Sequence, residues 1–458
     1  MQLLTNINTL VTMTGERHAP IPPLQQAAIL VDGNVIRWVG AANALPTIAQ
    51  PYETINLRDH LVLPGLVNTH HHLYQTLTRA IAQNCELFDW LKTLYPIWLR
   101  MDAEAIYTSA LTGMAELMLS GCTTASDHLY IYPNDCRIDD EIRAAREIGL
   151  RFHATRGSMS LGESKGGLPP DAATEDEGDI LKDTQRAIET YHDPARYAMQ
   201  RVAVAPCSPF SVTTDLMRES AALARHYGVM LHTHLAETHD EEAFCLARFG
   251  QRPLDYAEAV NWLGADVWYA HGVHFNAGDI QRMAGCGCGV AHCPSSNMRL
   301  ASGIAPVRLM LDRGMKVGLG VDGSASNDGS HLLAEARQAL LLQRVQQGAT
   351  AFSAYDALWL ATRGGASVLG REDIGQIAPG FAADLIAINL NRVEYAGALH
   401  DPLGAVIFCA PRGVDFSMIN GHTVIREGQL TTVDVPCIIE RHNRISASLL
   451  SADARPLV

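Results

Sequence analysis

The residues able to do chemistry in this chain are mostly histidines, and they fall at the ends of apolar runs. Residues 68–72 read Asn68-Thr69-His70-His71-His72, and in an extended segment His70 and His72 share one face while His71 takes the other. Two imidazoles placed two residues apart on one face can ligate the same metal ion. Further runs close on His232-Thr233-His234-Leu235-Ala236-Glu237, Ala270-His271-Gly272, His292-Cys293-Pro294 and Val321-Asp322-Gly323. Neutral imidazoles with a carboxylate suit a divalent ion such as zinc. One histidine in an apolar strand is ordinarily a hydrogen-bonded core residue. Five such strand ends are costly to bury unless they share a partner, so a metal site is expected. The chain contains no HExxH, and no HxE followed by PCxxC, so those zinc signatures are absent.

The elements that must position these residues follow from period. Eight short apolar runs, 61–68, 122–127, 151–155, 201–205, 229–235, 267–270, 289–292 and 316–321, alternate with longer stretches of helical spacing such as 330–347. Eight strand–helix units predict an α/β chain built as a (β/α)8 TIM-type barrel, in which residues at the carboxyl ends of the strands converge. The flanks differ. Residues 3–13, 28–39 with the Asp32-Gly33-Asn34 turn, and 384–389 read as strands joined without helices, so both chain ends are expected to build one small β-domain. The expected division is 1–60 plus 375–440 for that domain, 61–374 for the barrel and 441–458 for a C-terminal tail. The Gly-, Pro- and acid-rich segment 158–179 is expected to be either a lid or a disordered excursion.

Composition narrows the partners. The 458 residues are 47% hydrophobic, enough for a large core, and 35 Lys and Arg against 49 Asp and Glu leave a formal charge of −14. That balance opposes binding to nucleic acid or an anionic membrane. Residues 1–6 lack a secretory pattern and no run of about 18 apolar residues occurs. The ten cysteines form no CxxC pair, and Cys122, Cys288 and Cys409 lie in apolar runs, so buried reduced thiols and a cytoplasmic address are expected.

The motifs together resemble the amidohydrolase superfamily. Pro64-Gly65-Leu66-Val67-Asn68-Thr69-His70-His71-His72 matches its first motif, and the likeness continues through His234-Leu235-Ala236-Glu237, His271-Gly272-Val273-His274, His292-Cys293-Pro294-Ser295-Ser296-Asn297, Asp322 and the return segment 380–385. The resemblance implies that His70, His72, His234 and Asp322 bind one metal per subunit, Zn2+ or else Fe2+ or Mn2+. The fourth run, 201–205, lacks the lysine with which dinuclear members bridge two metals. It further implies that Glu237, His271 and Asp322 are the catalytic acid–base groups, and that the enzyme forms a homodimer or higher homo-oligomer. His239-Asp240-Glu241-Glu242 repeats the HxxE spacing past the strand end and is expected to be a decoy in a charged, solvated helix start.

Residues 70–79, HHHLYQTLTR, with 83–91, QNCELFDWL, and Leu94-Tyr95-Pro96-Ile97-Trp98 resemble the branch of that superfamily that deaminates 8-oxoguanine. The guanine, isoxanthopterin and hydroxytriazine branches are alternatives. The implied substrate is a small purine-like ring, with urate and ammonia as products. Gln75 is expected to meet a purine edge and Trp98 to wall the ring. Asn84, Arg156 and Cys207 are further candidates for substrate contact. Trp98 as plain core, Arg156 as an anchor of the long loop and Cys207 as a small buried residue are the competing readings.

Overall fold

The computed structural model of the chain describes residues 1–409 and 412–451. Eight parallel strands, Leu66–Asn68, Cys122–Leu129, Arg151–Ser158, Gln200–Pro206, Leu231–Leu235, Val267–His271, Gly289–His292 and Lys316–Leu319, close into a barrel. Closure is made where Leu319 of the eighth strand pairs with Asn68 of the first. Nearly every barrel residue is buried, as a parallel sheet covered by helices requires.

The run 61–68 is two strands. His60–Pro64 pairs with Gln2–Leu10 and, antiparallel, with Leu385–Asn389, so it belongs to the flanking sheet. Gly65 separates the two. A Cβ there would lie 2.0–2.6 Å from the Thr123 side chain, so only glycine lets the chain pass the second strand on its way into the barrel. Among the described residues the flanking sheet has nine strands, drawn from both chain ends. Its Gly33-Asn34 hairpin links Leu24–Asp32 to Val35–Ala41, as the turn residues predict. Leu4, Ile29, Val31, Val62, Leu385 and Met418 help form its core.

Sheet and barrel are joined by a buried ion pair. Arg151 opens the third barrel strand, is 1% exposed, and donates to both carboxylate oxygens of Asp384 at 3.0 Å and to the carbonyls of Tyr197 and Ala198. Removing one member of such a pair strands a buried charge. Arg151→Met is therefore expected to destabilise the protein by about 3–5 kcal/mol, read by urea unfolding. A loss below about 1 kcal/mol, the range of exposed pairs, would show that the pair is not sealed.

Two expectations change. Segment 158–179 is held by backbone hydrogen bonds to its neighbours rather than lying over the barrel mouth. Its Ser160 and Leu161 amides bond to the Ser211 carbonyl, Leu168 to Phe210 and Glu175 to Met159. It buttresses the loop after the fourth strand. The cover over the barrel mouth comes instead from the 3-10 turn Leu73–Thr78 and the helix Leu87–Trp98. Nor is the chain from 441 a plain tail, since through Ser451 it continues the helix Val435–Ser451. That helix props the cover, with His442 Nε2 at 3.1 Å from the Thr76 carbonyl and Ser446 donating to Leu77 at 2.7 Å. Residues 452–458 lie outside the described residues. Among the described residues no helix is long and apolar enough to cross a membrane.

Candidate metal centre and active site

His70 and His72 leave the first strand beside Asp322, which leaves the eighth, and the Asp322 amide donates to the His70 carbonyl at 3.1 Å. His234 comes from the fifth strand and His271 from the end of the sixth. Three residues at these strand ends hold left-handed backbone without being glycine: Ala236 (φ 55°), His271 (φ 72°) and Asp322 (φ 62°). Such conformations persist where the surrounding structure over-determines them.

The hydrogen bonds fix which nitrogen of each ring carries a proton. His72 Nδ1 lies 2.7 Å from the His128 carbonyl and His234 Nδ1 lies 2.7 Å from the Cys207 carbonyl, so both rings are protonated there. His232 Nδ1 faces the Trp268 carbonyl at 3.0 Å, which leaves His232 Nε2 to accept from His70 Nδ1 at 2.8 Å. All three candidate ligands thus turn an Nε2 lone pair inward. Burial keeps them neutral: it holds His70 well below the usual imidazole range, lowers His72, and takes His234 to about 3.

These lone pairs converge. His72 and His234 Nε2 are 3.1 Å apart, and Asp322 Oδ1 lies 3.2 Å from His70 Nε2 and 3.4 Å from His72 Nε2. His70 Nε2 is buried with no hydrogen-bond partner among the described residues. Donor atoms bound at about 2.0–2.1 Å around a tetrahedral ion stand about 3.3 Å apart. Acceptors at this spacing repel unless a cation lies between them, so the residues fit a divalent metal. Possible ligand atoms of His70, His72, His128 and His234 cluster together, and those of His70, His271 and Asp322 form a second cluster that shares His70. His128 commits its Nε2 to the Ala205 carbonyl at 2.8 Å and stacks on His234.

Beside this centre, Glu237 and His271 face each other, with Oε2 and Nε2 3.5 Å apart, and His271 Nε2 is 3.8 Å from Asp322 Oδ2. Burial pushes Glu237 up to about 7, with Asp322 and Glu241 adding to it and His271 opposing. Burial works against a charged His271, but Glu237 and Asp322 prevail and raise it. Burial would likewise raise Asp322, yet His70, His271 and His72 hold it well below the carboxylate range. Asn297 Oδ1 accepts from His271 Nδ1 at 2.9 Å and sets the ring.

These groups floor a cavity whose walls include Leu87, Trp90, Leu91, Tyr95, Phe210 and Leu300. Gln75 and Cys207 line it, as expected for substrate contact, together with Tyr130 and Ser326. Gln75 is fully buried; its Nε2 lies 3.4 Å from the Tyr74 hydroxyl and its Oε1 has no hydrogen-bond partner among the described residues. Burial takes the Cys207 thiol to about 12, so it is a neutral wall.

Asn84, Trp98 and Arg156 do not reach the cavity. Asn84 is exposed on the turn before the cover helix. Trp98 donates to Thr78 Oγ1 and packs behind Tyr74, Trp90 and Tyr95. Arg156 is clasped by Glu175 and Asp183 and anchors the long segment. His239 and Glu242 stand outside, on the helix His239–Phe249, with Glu242 paired to Arg252.

Sequence reasoning missed the supporting groups. Asp127 accepts the Leu73 amide at 2.6 Å and so fixes the turn after His72. His232 was legible, since it repeats the two-residue spacing of His70 and His72 immediately before His234. Tyr130 and Trp90 carried no motif.

Residues 61–424 match the model of the Amidohydrolase family. The chain is 48% identical over 429 residues to 8-oxoguanine deaminase of Pseudomonas aeruginosa, covering 92% of this chain and 94% of that protein. It is 43% identical to hydroxydechloroatrazine ethylaminohydrolase of a Pseudomonas species, over 84% of this chain and 82% of that one. In structure it is similar to the atrazine chlorohydrolase of Arthrobacter aurescens complexed with zinc, with a TM-score of 0.91 at 32% identity, covering 97% of this chain and all of that one. The chain belongs to the amidohydrolase family.

Proposed function

We propose that this enzyme hydrolyses the exocyclic amino group of 8-oxoguanine, giving urate and ammonia, with zinc held by His70, His72, His234 and Asp322. The observation that carries the reaction class is the pairing of Glu237 with His271 against a converging set of three neutral imidazoles and a carboxylate. When bound, the ion supplies a water acidic enough to act as nucleophile near neutral pH. The protein's own groups move the protons. Glu237, raised to about 7 by burial, takes a proton from the nucleophile and gives it to the ring nitrogen beside the attacked carbon. His271, set by Asn297, orients the nucleophile and polarises that carbon. Asp322, whose Oδ2 accepts from Ser326 at 3.1 Å, takes the remaining proton of the added hydroxyl and passes it to the departing amine. The carbon becomes tetrahedral, the amine leaves as ammonia, and a carbonyl remains.

The choice of ring rests on the cavity walls and on the likeness to the Pseudomonas aeruginosa deaminase. Gln75 Oε1 offers an acceptor to a ring N–H, and the apolar walls suit a flat neutral heterocycle. A hydroxytriazine is the second reading, favoured by the 43% identity to the hydroxydechloroatrazine enzyme. Initial rates of ammonia release from 8-oxoguanine, guanine, isoxanthopterin and a hydroxytriazine at matched low concentration separate these. The 8-oxoguanine rate is expected to exceed the others, and turnover confined to another ring would overturn the substrate assignment.

Gln75 depends on Gly323, where a Cβ would meet Gln75 Oε1 at 1.8 Å. Gly323→Ala is expected to displace the amide and raise KM about tenfold or more with a smaller change in kcat, the pattern of lost uniform binding. An unchanged KM would remove Gln75 from substrate recognition.

A further inference from the structure

We propose that Glu241 is a positioning residue that clamps the turn carrying Glu237; this rests on the role given to Glu237 above. Glu241 lies in the first turn of the helix His239–Phe249, yet its side chain folds back and is fully buried. Oε1 accepts the Ala236 amide at 2.8 Å and Oε2 accepts the Glu237 amide at 2.9 Å. One carboxylate thus holds two successive N–H groups just beyond the fifth strand. Its own backbone is fixed in turn, since the Glu241 amide donates to Thr238 Oγ1 at 3.3 Å, the cap of that helix.

The clamped turn is strained. Ala236 sits at φ 55°, a conformation that L residues other than asparagine and aspartate seldom adopt. Its carbonyl accepts the His274 amide at 2.9 Å, and the Leu235 carbonyl accepts the Gly272 amide at 3.2 Å, so the turn is also tied to the residues after the sixth strand. With both sides held, the Glu237 carboxylate is delivered to His271. Glu241 is an expensive way to fill this volume, because burial raises its carboxyl to about 6 even with both amides drawing it down. An apolar side chain would fill the space without burying a charge. It would leave two amides unpaired and the turn free to relax. An acceptor for two donors is the one property the position requires.

Glutamine tests this closely. It keeps the shape but offers one acceptor and one N–H that opposes the second amide. In the metal-loaded enzyme, Glu241→Gln is expected to lower kcat about 10²-fold through misplacement of Glu237, with KM within about threefold and metal content unchanged. Adding Ala236→Gly, which takes the left-handed turn at no steric cost, is expected to restore about tenfold of kcat. Hydrogen exchange of the peptide spanning 235–238 is expected to quicken more than about tenfold in the single variant. Should glutamine not fold, Glu241→Asp, whose shorter carboxylate spans only one amide, is expected to show the same loss and the same rescue. Full kcat in Glu241→Gln, failure of glycine to rescue, or unchanged exchange at 235–238 each overturns the clamp. Absence of 8-oxoguanine turnover in the unmodified enzyme overturns the substrate reading alone, and the exchange measurement then still decides the clamp.

Discussion

Glu237→Gln is expected to lower kcat by about 10²–10⁴-fold while metal content and fold stay as in the unmodified enzyme. Glutamine preserves the size of the side chain but removes its ability to take and return a proton. Glu237 is 3% exposed, stands 3.5 Å from His271 Nε2, and is not among the atoms that converge on the metal centre. The loss should therefore fall on turnover rather than on metal occupancy. Burial pushes its carboxyl up to about 7, with Asp322 and Glu241 reinforcing, which is the range a group needs in order to act first as base and then as acid at neutral pH. The check is steady-state kinetics beside metal analysis of the same preparation. Undiminished turnover would remove Glu237 from the proton path.

Stripping the metal is expected to abolish turnover and to loosen the protein together. Without a cation, His72 and His234 Nε2 face each other at 3.1 Å and Asp322 Oδ1 faces His70 Nε2 at 3.2 Å as opposed lone pairs. An ion present at about a thousand times its Kd stabilises the fold by about 4 kcal/mol. Chelation should therefore lower the thermal midpoint, and stoichiometric zinc should return both midpoint and activity. Asp322→Ala should bind zinc weakly and show little shift on adding it. Full activity after exhaustive chelation would contradict the centre.

Much of this arrangement was legible in the residues because the barrel fixes where strand ends point. His70, His72, His234, His271 and Asp322 each end an apolar run, and eight such runs have only one closed parallel arrangement that brings those ends together. The miss at Arg156 was one of face, and those at Asn84 and Trp98 were of place. Arg156 does lie near the mouth end of the third strand, which stays paired as far as Ser158, but its side chain turns away from the cavity to Glu175 and Asp183, so it anchors the long segment. Trp98 continues the helical stripe of Leu87, Trp90, Leu91 and Tyr95 one turn beyond the cavity and packs as core, which was the competing reading of that residue. The division of 61–68 at Gly65 depends on how near the backbone runs to Thr123, a contact made across 58 residues that no local pattern encodes. The props on the turn after His72 and on the Glu237 turn, Asp127 and Glu241, act through backbone amides and leave no spacing signature.

One reaction tests this chemistry most directly. Zinc-reconstituted enzyme should be given 8-oxoguanine in ¹⁸O-labelled water, with urate and ammonia quantified and the urate weighed by mass spectrometry. One ammonia per urate, with a single ¹⁸O in each urate, is the expected result. Urate without solvent oxygen, or no urate while the zinc-loaded enzyme releases ammonia from another ring, would contradict it.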